Sequence, residues 1–381
     1  MINIKYLEKE NFNKKLYNKN FNKKLYKNVS KKLFNKFNEI YLDFKQNNKN
    51  NIQIKKQNNF EIQNYDGIYI TKKIKNKLNK LKKLKIITYD FLKTNVEIIL
   101  YYNTITQKNI NQIMDTINFI ITLFNYLNNY RENIKIYIYY SNNNKKININ
   151  KKNELIPENI NSAFTTFYKN ETYDNQNYIV IYRTEELNKV LIHELLHLYN
   201  LTNYKIEGNI ELVKLIKTED KILISEAYVE SFATLLYTFL YSKNNNKDFY
   251  DLLNQQIMFS LFQSSKILLN QNIKKLKYPI EITEKANAIS YHFIKSAILY
   301  NLNKYNNYVF NINNLDKFYL NNRNKIQMKI MNDFNKKILI SLQNKNFIKI
   351  INDNLKFLIK SNNKKFNNQK LLKTFRMNIL D

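Results

Sequence analysis

The sequence predicts an α+β fold, with a mixed sheet-and-helix half followed by a helical half, and three observations carry that reading. Runs of β-branched and aromatic residues, VEIILYY (Val96–Tyr102), IKIYIYY (Ile134–Tyr140) and NYIVIY (Asn177–Tyr182), read as strands. Between the first two, Asn109–Tyr130 places Ile113, Ile117, Ile120, Ile121, Phe124 and Leu127 at helical spacing. Beyond residue 200 long helical patterns dominate, over Glu219–Tyr241, Phe249–Leu269, Glu281–Tyr300 and several basic segments after them.

The remaining elements follow in chain order. The first residues are basic and repetitive: NFNKKLY at Asn11–Tyr17 recurs at Asn20–Tyr26, followed by the looser KKLFNKF at Lys31–Phe37. Leu16, Leu25 and Leu33 recur among lysines, which predicts short amphipathic helices with a solvated basic face. Gln46–Gln53 reads as a linker. Asn59–Thr71 reads as a hairpin about the turn dipeptide Asp66-Gly67, and Lys72 to about Leu84 as a lysine-rich helix. Thr184 is placed to cap the helix after NYIVIY, with Glu185 and Glu186 at its positive end. The expected organisation is a partly helical basic leader (1–58), an N-terminal α/β part (59–133), a core (134–300) and a basic helical region (301–381). Every alanine lies between Ala163 and Ala297, which marks the core as the place where close packing matters.

Composition bounds the function. The 381 residues are 44% apolar, enough for a sizeable core, with two Gly, two Pro and neither Trp nor Cys. Without Cys there is no disulfide and no thiolate-ligated metal. A net charge of +31 attracts nucleic acid or an anionic surface, here through the basic leader. The lysines are nevertheless spread through the chain, beside much Asn, Ile, Tyr and Phe, as A- and T-rich codons would produce. No uncharged apolar run is long enough for a membrane span, and MINIKYLEKENF is no secretory signal, so the chain is expected to be soluble and intracellular.

The chemistry concentrates in VLIHELLHLYN (Val190–Asn200), which holds two of only three histidines. On a helix, His193 and His197 share one face a turn apart and can bind one tetrahedral zinc, while Glu194 adjoins them as a base for a water on the metal. With histidine so scarce, this spacing is a specific signal. A third protein ligand is needed. Asn200 and Asn203 stand where a longer histidine motif would place Gly and His, and no Cys exists to serve. A Glu from a following helix remains, and Ile222–Tyr237 offers Glu226 and Glu230 on one face, with Ala227, Ser231 and Ala233 allowing close approach. Glu226 is the expected ligand and Glu230 the group that orients a ligand histidine; the reverse assignment also fits. His292 could replace Glu226 or stabilise an oxyanion, and Tyr291 could take that second role.

HELLH followed by Glu226 in SEAYVE resembles the zincin metallopeptidases of gluzincin type. The wider run Ile179–Leu201, with SEAYVESFATLL and TFRMNIL, is similar to metallopeptidases assigned from sequence in nucleocytoplasmic large DNA viruses, over roughly Leu155–Leu240. The resemblance implies a zincin-like mixed sheet above a cleft, a helical lower half, Zn²⁺, and peptide hydrolysis with Glu194 as general base. It also implies a substrate-binding edge strand, matched at Ser162, Ala163 and Phe164 within NSAFTTF. A protein or peptide substrate and a host cytoplasmic or virion location go with it. The alternative expectation is an inactive zincin-fold protein that binds nucleic acid or a virion surface.

Overall fold

A computed structural model describes residues 23–47, 52–57, 70–147, 154–166, 177–201, 207–305, 325–362 and 374–380. They fall into two compact units, one drawn from Asn35–Lys145 and Ile160–Leu201, the other from Met1–Phe34, Lys146–Asn159 and Thr202–Asp381. The first carries a mixed sheet and the second is mainly helical, an arrangement compatible with α+β. The stretch 134–300 is divided between the units at 145/146, 159/160 and 201/202.

The sheet unit holds six strands: β1 (Ile52–Gln57), β2 (Lys83–Phe91), β3 (Thr94–Tyr102), β4 (Asn133–Tyr140), β5 (Ala163–Thr165) and β6 (Tyr178–Ile181). Their order is β1-β2-β3-β4-β6-β5; β3, β4 and β6 run parallel and the other pairs antiparallel. Both faces of the centre are apolar, as expected for parallel strands covered on two sides. Ile98, Ile136 and Ile179 stand side by side on one face. Tyr101 stacks on Tyr139 at 4.7 Å on the other, within a cluster closed by Ile74 and Leu78. Four helices complete the unit: the sheet-side part of α1 (Lys23–Asn47), α2 (Lys72–Leu78), α3 (Gln107–Tyr126) and α4 (Leu187–Leu198). The helix α3 bridges the parallel strands β3 and β4, packs on α4, and stacks Phe124 on Tyr199 at 4.1 Å.

Several expectations are corrected here. The basic leader is expected as short amphipathic helices with a solvated basic face, yet α1 runs unbroken over 25 residues and buries Phe37, Ile40 and Phe44, with Phe44 6.2 Å from Phe119. Spacings of three and four residues give it an apolar stripe that the surrounding lysines obscure. The copy at Asn11–Tyr17, the Asp66-Gly67 turn and residues 48–51 of the expected linker lie outside the described residues, while Gln46 and Asn47 end α1 and Ile52 and Gln53 begin β1. The helix expected to reach Leu84 stops at Leu78, and β2 begins at Lys83, because the β-branched and aromatic run from Ile86 pairs across β3, Ile87 against Ile98.

The helical unit contains α5 (Ile210–Leu215), β7 (Ile216–Thr218), α6 (Ile224–Asn244), α7 (Phe249–Asn270), β8 (Ile280–Ile282), a π-helical turn (Ile289–Ile294) continuing as α8 (Lys295–Tyr300), α9 (Lys325–Leu342) and α10 (Lys345–Asn362). At its centre α7 packs against α6, the π-turn, α8 and α10, and 18 of its 22 residues are buried, including every residue from Gln256 to Asn270. Several buried hydroxyls are satisfied within the helices: Ser231 donates to Ala227 O, Thr234 to Glu230 O and Ser264 to Ser260 O. All six alanines in the chain are buried, in keeping with the packing role their clustering implied. Among the described residues no helix is long and apolar enough to cross a membrane.

The single helix expected over Glu281–Tyr300 is interrupted. β8 occupies its start, and Glu284 then turns back so that its Oε2 accepts from Ile289 N at 3.0 Å, capping the π-turn. Burial pushes the Glu284 carboxyl up to about 7, against the opposing effect of backbone N–H groups at Ile289 and Ala288. Between the ordinary carboxylate value and about 7, the folded molecule keeps a proton that the unfolded chain has lost, so stability falls as pH rises through this range. Denaturant unfolding at pH 5 and pH 8 should differ by on the order of 3 kcal/mol from this group, and Glu284→Gln should remove most of that difference. An unchanged pH dependence in the variant contradicts the assignment.

Candidate metal centre

Within α4, ten of twelve residues are buried, so the motif is set in a helix that is apolar nearly all round. His193 is 6% exposed and Glu194 7%, while His197 is half-buried. The Nε2 atoms of His193 and His197 lie 3.0 Å apart, with the rings edge to face at 4.7 Å. Two nitrogens bound to one tetrahedral zinc at about 2.0–2.1 Å stand about 3.3 Å from one another. The pair therefore needs only a small adjustment to share an ion.

Both ends of α4 are set by specific interactions. Thr184 was expected as its cap, but its hydroxyl donates to Ser141 O at 2.8 Å, tying it to the chain leaving β4. The helix begins at Leu187, and Glu186 precedes it in a left-handed conformation, φ 65°, without a side-chain cap. Such a conformation is strained for a residue other than glycine and persists where neighbours enforce it. Here Glu186 Oε2 lies 3.2 Å from Lys145 Nζ in a pair with both side chains fully buried, and Glu185 accepts from Lys145 N at 2.6 Å. Burial lowers the Lys145 ammonium below the usual lysine value, with Glu186 the main opposing influence. At the other end Asn200 takes φ 53°, Asn200 N donates to His197 O, and Leu201 N to Leu196 O. This is a Schellman stop with Asn in the usual place of glycine.

The edge strand β5 lies beside α4 and pairs antiparallel with β6, Ala163 opposite Ile181 and Phe164 opposite Val180. Ser162 sits just before it, its carbonyl accepting from Tyr182 N. Thr165, which the sequence did not single out, makes the contact that matters most to the motif. Its hydroxyl is 2.7 Å from Glu194 Oε2 and 3.1 Å from Glu194 O. The only signal for it was its position in the same short run, two residues after Ala163.

Glu226 occupies the first turn of α6, where the positive end of the helix dipole favours a carboxylate. Among the described residues, His193, His197 and Glu226 form a group that could hold a metal ion, each offering one ligand atom within 4.8 Å of the others. Two imidazoles and a carboxylate are a donor set that zinc takes in sites with one open position. Glu230 is fully buried and takes Lys295 as its cation, Nζ to Oε1 3.2 Å, a partner that sequence reasoning did not identify. His292 and Tyr291 both lie on the π-turn. His292 is 1% exposed with its ring stacked on Phe375 at 4.4 Å, whereas Tyr291 is half-buried.

Comparison with protein-family profiles, curated proteins and solved structures returns no match.

A hydrogen bond to a charged acceptor contributes about 1.5–3 kcal/mol. Thr165→Val should lower unfolding stability by about that amount in metal-free protein at neutral pH, and Thr165→Ser by much less. Equal stability of the valine variant and the parent means that Glu194 is held some other way.

Proposed function

We propose that the chain is a zinc-dependent peptidase with a zincin-like fold of gluzincin type, and the gathering of His193, His197 and Glu226 about one point is the observation that carries this reading. Bound there, zinc would supply Lewis acidity, lowering the pKa of a water and polarising a peptide carbonyl.

The protein's own residues supply the rest. Thr165 donates to Glu194 Oε2, which leaves Oε1 as the oxygen to take a proton from the attacking water and return it to the departing amine. Holding the carboxylate by one oxygen fixes the direction of the other, so the base is oriented before substrate arrives. Burial of Glu194 keeps bulk water away from that transfer. The short strand β5 stands last in the sheet order, and its outer main-chain groups would receive an extended peptide as an added strand beside Ala163 and Phe164. Of the two candidates for stabilising the oxyanion, Tyr291 is the one proposed, because it is half-buried whereas His292 is 1% exposed.

A second reading, a basic protein that binds nucleic acid or a virion surface, is favoured by the +31 charge alone. It requires binding that weakens steeply with salt.

Incubating the zinc-loaded protein with a diverse peptide library should yield cleavage, and Glu194→Gln should reduce it by about 10²–10⁴-fold while retaining the metal. A glutamine variant as active as the parent overturns the role given to Glu194.

A further inference from the structure

The residues Phe375, Met377, Asn378, Ile379 and Leu380 are buried in the helical unit, although they belong to no helix and to no strand of its sheet. A core segment of that kind ordinarily meets apolar walls. Here it meets long polar side chains aimed at its main chain. Lys266 Nζ donates to Thr374 O at 2.7 Å, Gln263 Nε2 to Arg376 O at 2.7 Å, and Lys295 Nζ to Met377 O at 3.2 Å. Gln256 pairs its side-chain amide with that of Asn378 and accepts from Ile379 N at 3.3 Å.

Three of these four donors come from α7 and stand in reverse order to the residues they hold. Gln256 to Lys266 spans about 15 Å of helix at 1.5 Å per residue. Thr374 to Ile379 spans about 16 Å of extended chain. The two lengths match, so the segment lies antiparallel along α7 and is read at nearly every step. Lys266 and Lys295 are fully buried, an arrangement that is costly unless their protons are received; Thr374 O receives Lys266, and Met377 O shares Lys295 with Glu230 Oε1.

We propose that the helical unit contains a peptide-recognition groove, formed by Gln256, Gln263, Lys266 and Lys295, whose resident ligand is the chain's own Thr374–Leu380. The stripe reads main-chain carbonyls, which any extended peptide presents. Selectivity comes from the side chains: Phe375 against His292, Asn378 against Gln256, and the apolar Met377, Ile379 and Leu380. Arg376 is the half-exposed position and carries little of it. The groove thus fits an extended aromatic–any–apolar–Asn–apolar–apolar segment.

The test uses the full chain with a protease-cleavable sequence inserted between residues 362 and 374, cut after folding. The cut segment should remain bound, and a labelled synthetic TFRMNIL peptide should exchange into its place saturably. Peptides carrying Phe375→Ala or Asn378→Ala should compete at least tenfold more weakly, Arg376→Ala about as well as the parent, and a scrambled peptide not at all. Loss of the fold on cutting, failure of the segment to exchange, or equal competition by the scrambled peptide overturns the proposal. Lys266→Met in the cut protein should speed release at least tenfold, and an unchanged rate removes the stripe from the groove.

Discussion

The desolvation of α4 is the constraint on which the sheet unit's organisation depends. A helix buried over ten of twelve residues must find internal partners for every ionisable group it carries. Removing a charge from water costs several kcal/mol even after relaxation. The histidines turn towards one another, Glu194 is received by Thr165, and the helix start is held by the buried Lys145–Glu186 pair. Each of these partners comes from a different part of the sheet unit, from β5, from the exit of β4, or from α4 itself. The sheet therefore positions the motif, and a strained left-handed residue at the helix start is tolerated because the ion pair enforces it.

The helical unit solves a related problem in another way. Its central helix is also largely buried, and it carries hydroxyls, amides and a lysine. The hydroxyls of Ser264 and Ser265 return to their own backbone, whereas Gln256, Gln263 and Lys266 reach across to Thr374–Ile379. A polar interior of this kind is stable only when nearly every group is satisfied, which makes the residues of the segment part of the unit's specification.

What could be read from the sequence was what depends on local pattern. The strands at Val96–Tyr102 and Ile134–Tyr140 and the helix between them follow from side-chain periodicity, and the structure places them close to those bounds. The grouping of His193, His197 and Glu226 followed from helical spacing plus elimination among scarce residue types. Thr165 and Lys295 were not legible, because their roles arise from tertiary approach that no local spacing encodes. Helix boundaries failed for a compositional reason. With two glycines in the chain, Asn fills most of the left-handed positions among the described residues, at 128, 200, 246, 272 and 287, and Asn is too common in this chain to serve as a stop signal. The same bias hid the packed face of α1 among lysines.

In the proposed function one zinc ion is held by His193 and His197 of α4 and by the carboxylate of Glu226. X-ray absorption on stoichiometrically zinc-loaded protein tests it most directly, paired with metal analysis of His193→Ala and Glu226→Ala. The expected result is one tightly bound zinc per chain, two imidazole nitrogens at about 2.0–2.1 Å with a carboxylate oxygen, and loss of tight binding in both variants. A folded protein that takes up no zinc, or one whose zinc environment is unchanged by either substitution, would contradict it.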